Sequence, residues 1–164
     1  KNFTNYPLAL APIDRAYPSK IFSKGQGEYK PSFGTVFPES NHLCISQTFR
    51  ATDFMMGSCE LRVKVPPNEH HDSSVLEFSS HFNLFILQTD KRIVPEKLSY
   101  ATRPPRIRKI ADIQFSSELD RAFTYRFPCA SDELITFEIA CPEENLEKGK
   151  KCRLEWTQDK EPSN

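Results

Sequence analysis

A chain of 164 residues with Lys+Arg 22 against Asp+Glu 22 has a sequence pI near 7.1, without the one-sign excess that nucleic-acid or anionic-membrane binders need. Its 38% hydrophobic and 12% aromatic content excludes wholesale disorder, and no apolar run is long enough to span a membrane as a helix. The length suits one domain, residues 1–164 with frayed ends at 1–6 and 159–164, and 13 Pro spread along it exclude long helices.

Segments of period two follow one another along the chain. Leu8 to Ile13, Phe33 to Phe37 and Leu43 to Phe49 are the weaker strand-like stretches near the start. From Cys59 to Val65 the odd positions are apolar and the even ones charged, and Pro66-Pro67 ends the run. Leu76, Phe78, Phe82, Leu84 and Ile86 alternate next, with Phe85 and Leu87 facing the other way. Ile107 to Phe115 is a further weak stretch. Alternation returns in Phe123 to Phe127, Ile135 to Cys141 and Cys152 to Trp156. Helical character is confined to Ser117 to Arg121 and Glu143 to Lys148, and the richest loops are Ser23 to Ser32, Pro66 to Ser74 and Lys91 to Arg108. Roughly eight or nine short strands with minimal helix predict an antiparallel β-sandwich, jelly-roll or immunoglobulin-like.

The cysteines stand at 44, 59, 129, 141 and 152 with no CxxC pair, which disfavours a zinc finger or ribbon. Spacing alone leaves the disulfide pairing open. Strand alternation puts Cys59 on an inward face and ends another inward face, Phe123, Tyr125 and Phe127, at Cys129, so those two are expected to join. Cys141 and Cys152 would clamp the segment between them, leaving Cys44, in Leu43-Cys44-Ile45, as a buried thiol outside any disulfide. These bridges, and the sequon Asn2-Phe3-Thr4 with Asn2 as acceptor, favour an oxidising, extracellular compartment. The opening at Lys1 without Met fits a processed or trimmed product.

Chemistry is sparse. Glu69-His70-His71-Asp72 is the one cluster of ligand-type residues, but His70 and His71 would point to opposite faces of a strand, so a polar turn is the simpler reading and no metal or other cofactor is expected. No nucleophile elbow or phosphate-binding glycine loop occurs. Arg103, Arg106, Arg108 and Lys109 around Pro104-Pro105 form the sharpest charge feature, read either as a solvated connection or as a dock for an acidic partner or anionic polysaccharide. Tyr17, Tyr29 and Tyr100 lie in loop-like context where rings stack on sugars, whereas Trp156 shares a face with Cys152 and Leu154 and is expected in the core.

Several of these segments, in this order, resemble the C-terminal domain of the But family. The residues that carry the likeness are Tyr6-Pro7 to Asp14, Gly57 to Pro66, Phe78 to Ile86, Phe127-Pro128-Cys129 with Ile135 to Glu138, and Leu154 to Asp159. The chain departs from the pattern after Cys129, where Ala130-Ser131-Asp132 stands in place of Pro-Ala-Gly, and Cys44, Cys141 and Cys152 are additional. The resemblance implies a mostly fungal, mostly secreted or wall-associated domain with no catalytic residues, whose two recurring cysteines fall on Cys59 and Cys129. It was named for fission-yeast proteins described as binding a subunit of the neddylation-activating enzyme.

The function expected from all this is a secreted, non-catalytic binding domain at the cell surface or wall, taking a polysaccharide or a host or cell-surface protein, with no nucleic acid and no membrane insertion. Tyr17, Tyr29, Tyr100, Arg103, Arg106 and Arg108 are the binding candidates. The rivals are an effector acting on a host protein, a glycan hydrolase or lyase using His70, His71 and Asp72, and an intracellular adaptor for the neddylation-enzyme subunit.

Overall fold

The alternating segments pair as antiparallel strands in the computed structural model, which describes residues 7–22, 43–51, 57–64, 81–114 and 122–144. Seven strands occur among these residues: β1 (Ala9–Asp14), β2 (Leu43–Arg50), β3 (Ser58–Lys64), β4 (His81–Leu87), β5 (Arg106–Gln114), β6 (Ala122–Pro128) and β7 (Leu134–Ala140). Five form one sheet in the order β1-β2-β7-β4-β5, and β3 and β6 form a second. The class is the all-β sandwich that the period of two predicts. A single 3-10 turn, Pro95–Lys97, interrupts the β4–β5 connection. The strand-like stretches at 33–37, 76–80 and 152–156, the helical segment at 117–121 and both chain ends lie outside the described residues, as does all of 143–148 beyond 144.

The interior between the sheets is built from one parity of each strand. Phe82, Leu84, Ile113, Ile135, Phe137 and Ile139 of the large sheet pack with Leu61 of β3, and Val63, Phe123, Tyr125 and Phe127 close the other side. The rings of Phe127 and Phe137 meet edge to face across the gap, centroids 5.5 Å apart. Burying each such side chain contributes about 1.5–3 kcal/mol, which holds the two-stranded sheet against the larger one.

Cys59 and Cys129 are joined by a disulfide with Cα atoms 5.7 Å apart. It joins neighbouring strands of the smaller sheet. Ser58 is in register with Pro128 and Cys59 with Phe127, so the bond clamps the open end of the β3–β6 pair. Gly57, at φ 59, turns the chain into β3, and its carbonyl accepts from Cys129 N at 3.3 Å. Cys141 is also disulfide-bonded, while Cys152 lies outside the described residues.

Proline and bulges mark the sheet edges. Pro12 is tolerated in β1 because that strand is outermost among those described. At the opposite edge, the β4–β5 ladder shifts register twice, and the extra residues on β5 are Ile110 and Ile107. Ile107 is left 57% exposed as a result.

The second face of the large sheet is covered as well. Ala9, Ala11, Ile13, Cys44 and Ala140 pack beneath Ile93 and Leu98 of the β4–β5 connection. β7, in the middle of the sheet, is therefore buried on both sides from Ile135 to Ala140. That double cover places the site.

Candidate functional site

Residues of β7 alternate between the two faces, so Thr136 and Glu138 point away from the aromatic interior. Glu138 is in register with Ser46 on β2 and Phe85 on β4, and its side chain is fully buried. An ionised carboxylate cannot remain there alone, because desolvation costs far more than a strand can offset. The connection above supplies its partners. Arg103 Nε donates to Glu138 Oε2 at 3.0 Å, Arg106 Nε donates to Oε1 at 3.0 Å, and Arg106 Nη2 donates to Oε1 as well. Arg103 Nη1 also donates to the Tyr100 carbonyl at 3.2 Å.

Each guanidinium lies over a ring. Arg103 sits 4.0 Å from the centroid of Tyr100 and Arg106 sits 3.8 Å from that of Phe85. Burial pulls the Arg106 pKa down, but the charge of Glu138 and the hydrogen bonds to it raise it above the usual arginine value. Cys44 nearby is pushed up to about 12, first by burial and then by Glu138, with Arg106, Arg103 and Arg15 pulling the other way. At neutral pH it is a protonated thiol and a poor nucleophile.

Hydroxyls fasten the rest of the cover. The Oγ1 atoms of Thr48 and Thr136 are 2.8 Å apart, and Ile93 N donates to Thr48 Oγ1 at 3.3 Å. Ser99 and Thr102 bond each other in a tight turn, Ser99 N reaching Thr102 Oγ1 at 2.9 Å. From the other end of the chain, the Pro18 carbonyl accepts from Ala101 N at 2.9 Å, bringing the 15–22 turn beside the 99–106 segment.

The structure thus gathers part of the sequence-based set at one place. Tyr100, Arg103 and Arg106 share the Glu138 cluster, and Tyr17 lies on the adjoining turn, exposed, with Lys20 Nζ 5.7 Å from its ring centroid. Arg108 is exposed and its Nη2 donates to Tyr125 Oη at 2.9 Å, across the sandwich edge. Asn2, Tyr29, His70, His71, Asp72 and Trp156 lie outside the described residues. Reading this run as a solvated connection is corrected for Arg103 and Arg106, which are held by a buried carboxylate, while Arg108 and Lys109 are exposed. Glu138 itself is the residue that alternation misassigns as an outward strand position. The signal for it was a carboxylate inside the apolar run Ile135-Thr136-Phe137-Glu138-Ile139-Ala140, in a chain with clustered arginines elsewhere.

Arginines remain charged and move no protons, so this arrangement offers recognition: a cationic surface held rigid from beneath, on a β-sandwich. That is the build of a binding domain. The chain belongs to the family described as the ubiquitin 3 binding protein But2 C-terminal domain, whose model matches residues 5–162. Comparison with curated proteins finds no match.

The family match corrects several expectations together. A ubiquitin-3-binding description points to a protein partner and overturns the carbohydrate-binding, cell-wall and effector readings, along with the polysaccharide and host or cell-surface partners. The geometry gives a physical reason for the tyrosines. The Tyr100 ring carries Arg103 and the Tyr17 ring faces Lys20, so neither is a bare sugar platform. The secreted, extracellular localisation is overturned by the same match. Its grounds were the cysteines, the sequon at Asn2 and the resemblance; Asn2 lies outside the described residues, and the Cys59–Cys129 bond fixes the end of one sheet without fixing an address.

Proposed function

We propose that this chain is a non-catalytic adaptor domain that docks a protein of the ubiquitin-like activation machinery, the neddylation-activating enzyme subunit for which the family's founding proteins are named. The observation that carries the reading is the family match over residues 5–162, nearly the whole chain, to a domain described by what it binds. The site is compatible with that role. Arg103 and Arg106 are positioned by Glu138 and by two rings before any partner arrives, so little side-chain entropy is lost on docking. Tyr17, Tyr100, Arg103, Arg106 and Arg108 are the residues proposed to face the partner.

Isothermal titration of the chain against the purified enzyme subunit tests this. Saturable binding with about one site per chain and a Kd on the order of micromolar or tighter is expected. Absence of binding with the disulfides intact and again after reduction would overturn the reading.

A further inference from the structure

Arg103 and Arg106 carry more donors than Glu138 can use. Arg103 spends Nε on Glu138 and Nη1 on the Tyr100 carbonyl, and Arg106 spends Nε and Nη2 on Glu138. Among the described residues, Arg103 Nη2 and Arg106 Nη1 make no hydrogen bond. Both side chains keep part of their surface in water, 18% for Arg103 and 25% for Arg106. Two guanidinium charges against one carboxylate also leave a positive charge uncompensated.

The surroundings add to that excess. Between Gln88 and Gln114 the chain carries seven cationic and three anionic side chains, although its formal net charge is zero. Arg108 is exposed on the same strand but turned by the Ile107 bulge toward the other face, where its Nη2 meets Tyr125 Oη, and between it and Arg106 Ile107 presents an apolar side chain that is 57% exposed. The two bulges interrupt the pairing of β5 with β4, and β5 is the last strand of that sheet among the described residues, so its irregular backbone works against simple strand addition and leaves recognition to side chains.

We infer that this edge is the receptor for an acidic segment of the protein partner. One partner carboxylate takes Arg103 Nη2 and Arg106 Nη1, a second is drawn to Arg108, and an intervening apolar side chain rests on Ile107. Glu138 is the positioning residue: it fixes the two forks at a set spacing and leaves their remaining nitrogens for the ligand. The inference rests on the protein-binding reading above and adds to it the chemistry of what is bound.

The probe is a fluorescein-labelled peptide of about ten residues alternating Glu with Val, with its Gln-for-Glu counterpart as control, followed by anisotropy from about 50 to 300 mM NaCl. The acidic peptide should bind, weaken as salt rises, and exceed the Gln peptide in affinity by about tenfold or more. Arg106→Lys keeps the charge beside Glu138 but loses the fork, and Arg108→Gln alters an exposed side chain. Each should weaken binding by roughly three- to tenfold, with circular dichroism unchanged, while Arg62→Gln on the other sheet should not. Equal binding of the two peptides, indifference to both edge variants, or equally tight binding of polyphosphate would overturn the inference. The same variants titrated with the enzyme subunit separate the two claims. Subunit binding that ignores them defeats the acidic-segment inference alone. Peptide binding without subunit binding defeats the partner reading alone.

Discussion

Glu138→Gln is the most informative single change. The carboxylate is fully buried and accepts three hydrogen bonds from two guanidiniums. The amide keeps the shape but removes the charge, and it turns an NH2 group toward a cation. Breaking a buried ion pair from one side costs about 3–5 kcal/mol when the remaining charge stays buried. Here the side chains of Arg103 and Arg106 are 18% and 25% exposed and can shift toward water, which lowers the figure to about 2–3 kcal/mol. Urea unfolding followed by far-ultraviolet circular dichroism reads this as a lower midpoint at unchanged m. Because the carboxylate is buried, 0.5 M NaCl should alter the loss by less than about a third. A loss under about 1 kcal/mol, no more than an ordinary neutral hydrogen bond, would refute the cluster as the fastening of the cover. So would a loss that salt abolishes.

Four further outcomes follow from the same geometry. The folded state holds the Cys44 proton up to about 12 against an ordinary value of 9.0, so its contribution is complete below pH 9 and is lost as pH rises toward 12. The stability difference between wild type and Cys44→Ala should therefore shrink by about 1.4 kcal/mol per pH unit in that window, read from urea midpoints. Replacing Cys59 and Cys129 together by Ser opens a loop of sequence separation 70 and should cost about 4 kcal/mol in urea unfolding, a loss under about 1 kcal/mol counting against the crosslink's role. Thr48→Val takes the shared hydroxyl partner from Thr136 Oγ1 and the acceptor from Ile93 N and should lower stability by about 2 kcal/mol, with faster amide exchange at Ile93. Asp132 stands at φ 65 where the family pattern has glycine; Asp132→Val should cost about 1–2 kcal/mol in thermal unfolding, whereas Asp132→Gly should not destabilise.

How much of this is legible in the sequence depends on how many faces of a strand are covered. β3 and β6 are half-buried, and their alternation reads off the inward set; the pairing, with Leu61 opposite Tyr125 and Val63 opposite Phe123, comes from the structure. β7 is covered twice, and a period of two then separates two interiors, which is why Glu138 and Thr136 look like solvent positions. The start of β5 is hidden for another reason. Its bulges at Ile107 and Ile110 break the period, and Pro104-Pro105 marks Arg106 as loop, although it pairs with Leu87. That Arg103 and Arg106 meet Glu138 is a long-range fact of sheet order, set by β7 lying beside β4, and no local pattern contains it. Part of the reasoning on compartment and ligand used cysteines and loop tyrosines, and among them Cys59 and Cys129 form a sheet clamp while Tyr17 and Tyr100 meet cations.

The claim on which the rest stands is that this domain binds a protein through the edge organised by Glu138. Amide hydrogen exchange of the chain, alone and saturated with the neddylation-activating enzyme subunit, measures that directly. Slowed exchange concentrated in Tyr100 to Ile110 and in the adjoining turn from Arg15 to Phe22 is the predicted pattern. Protection confined to the β3–β6 sheet, or none anywhere on the chain, would contradict it.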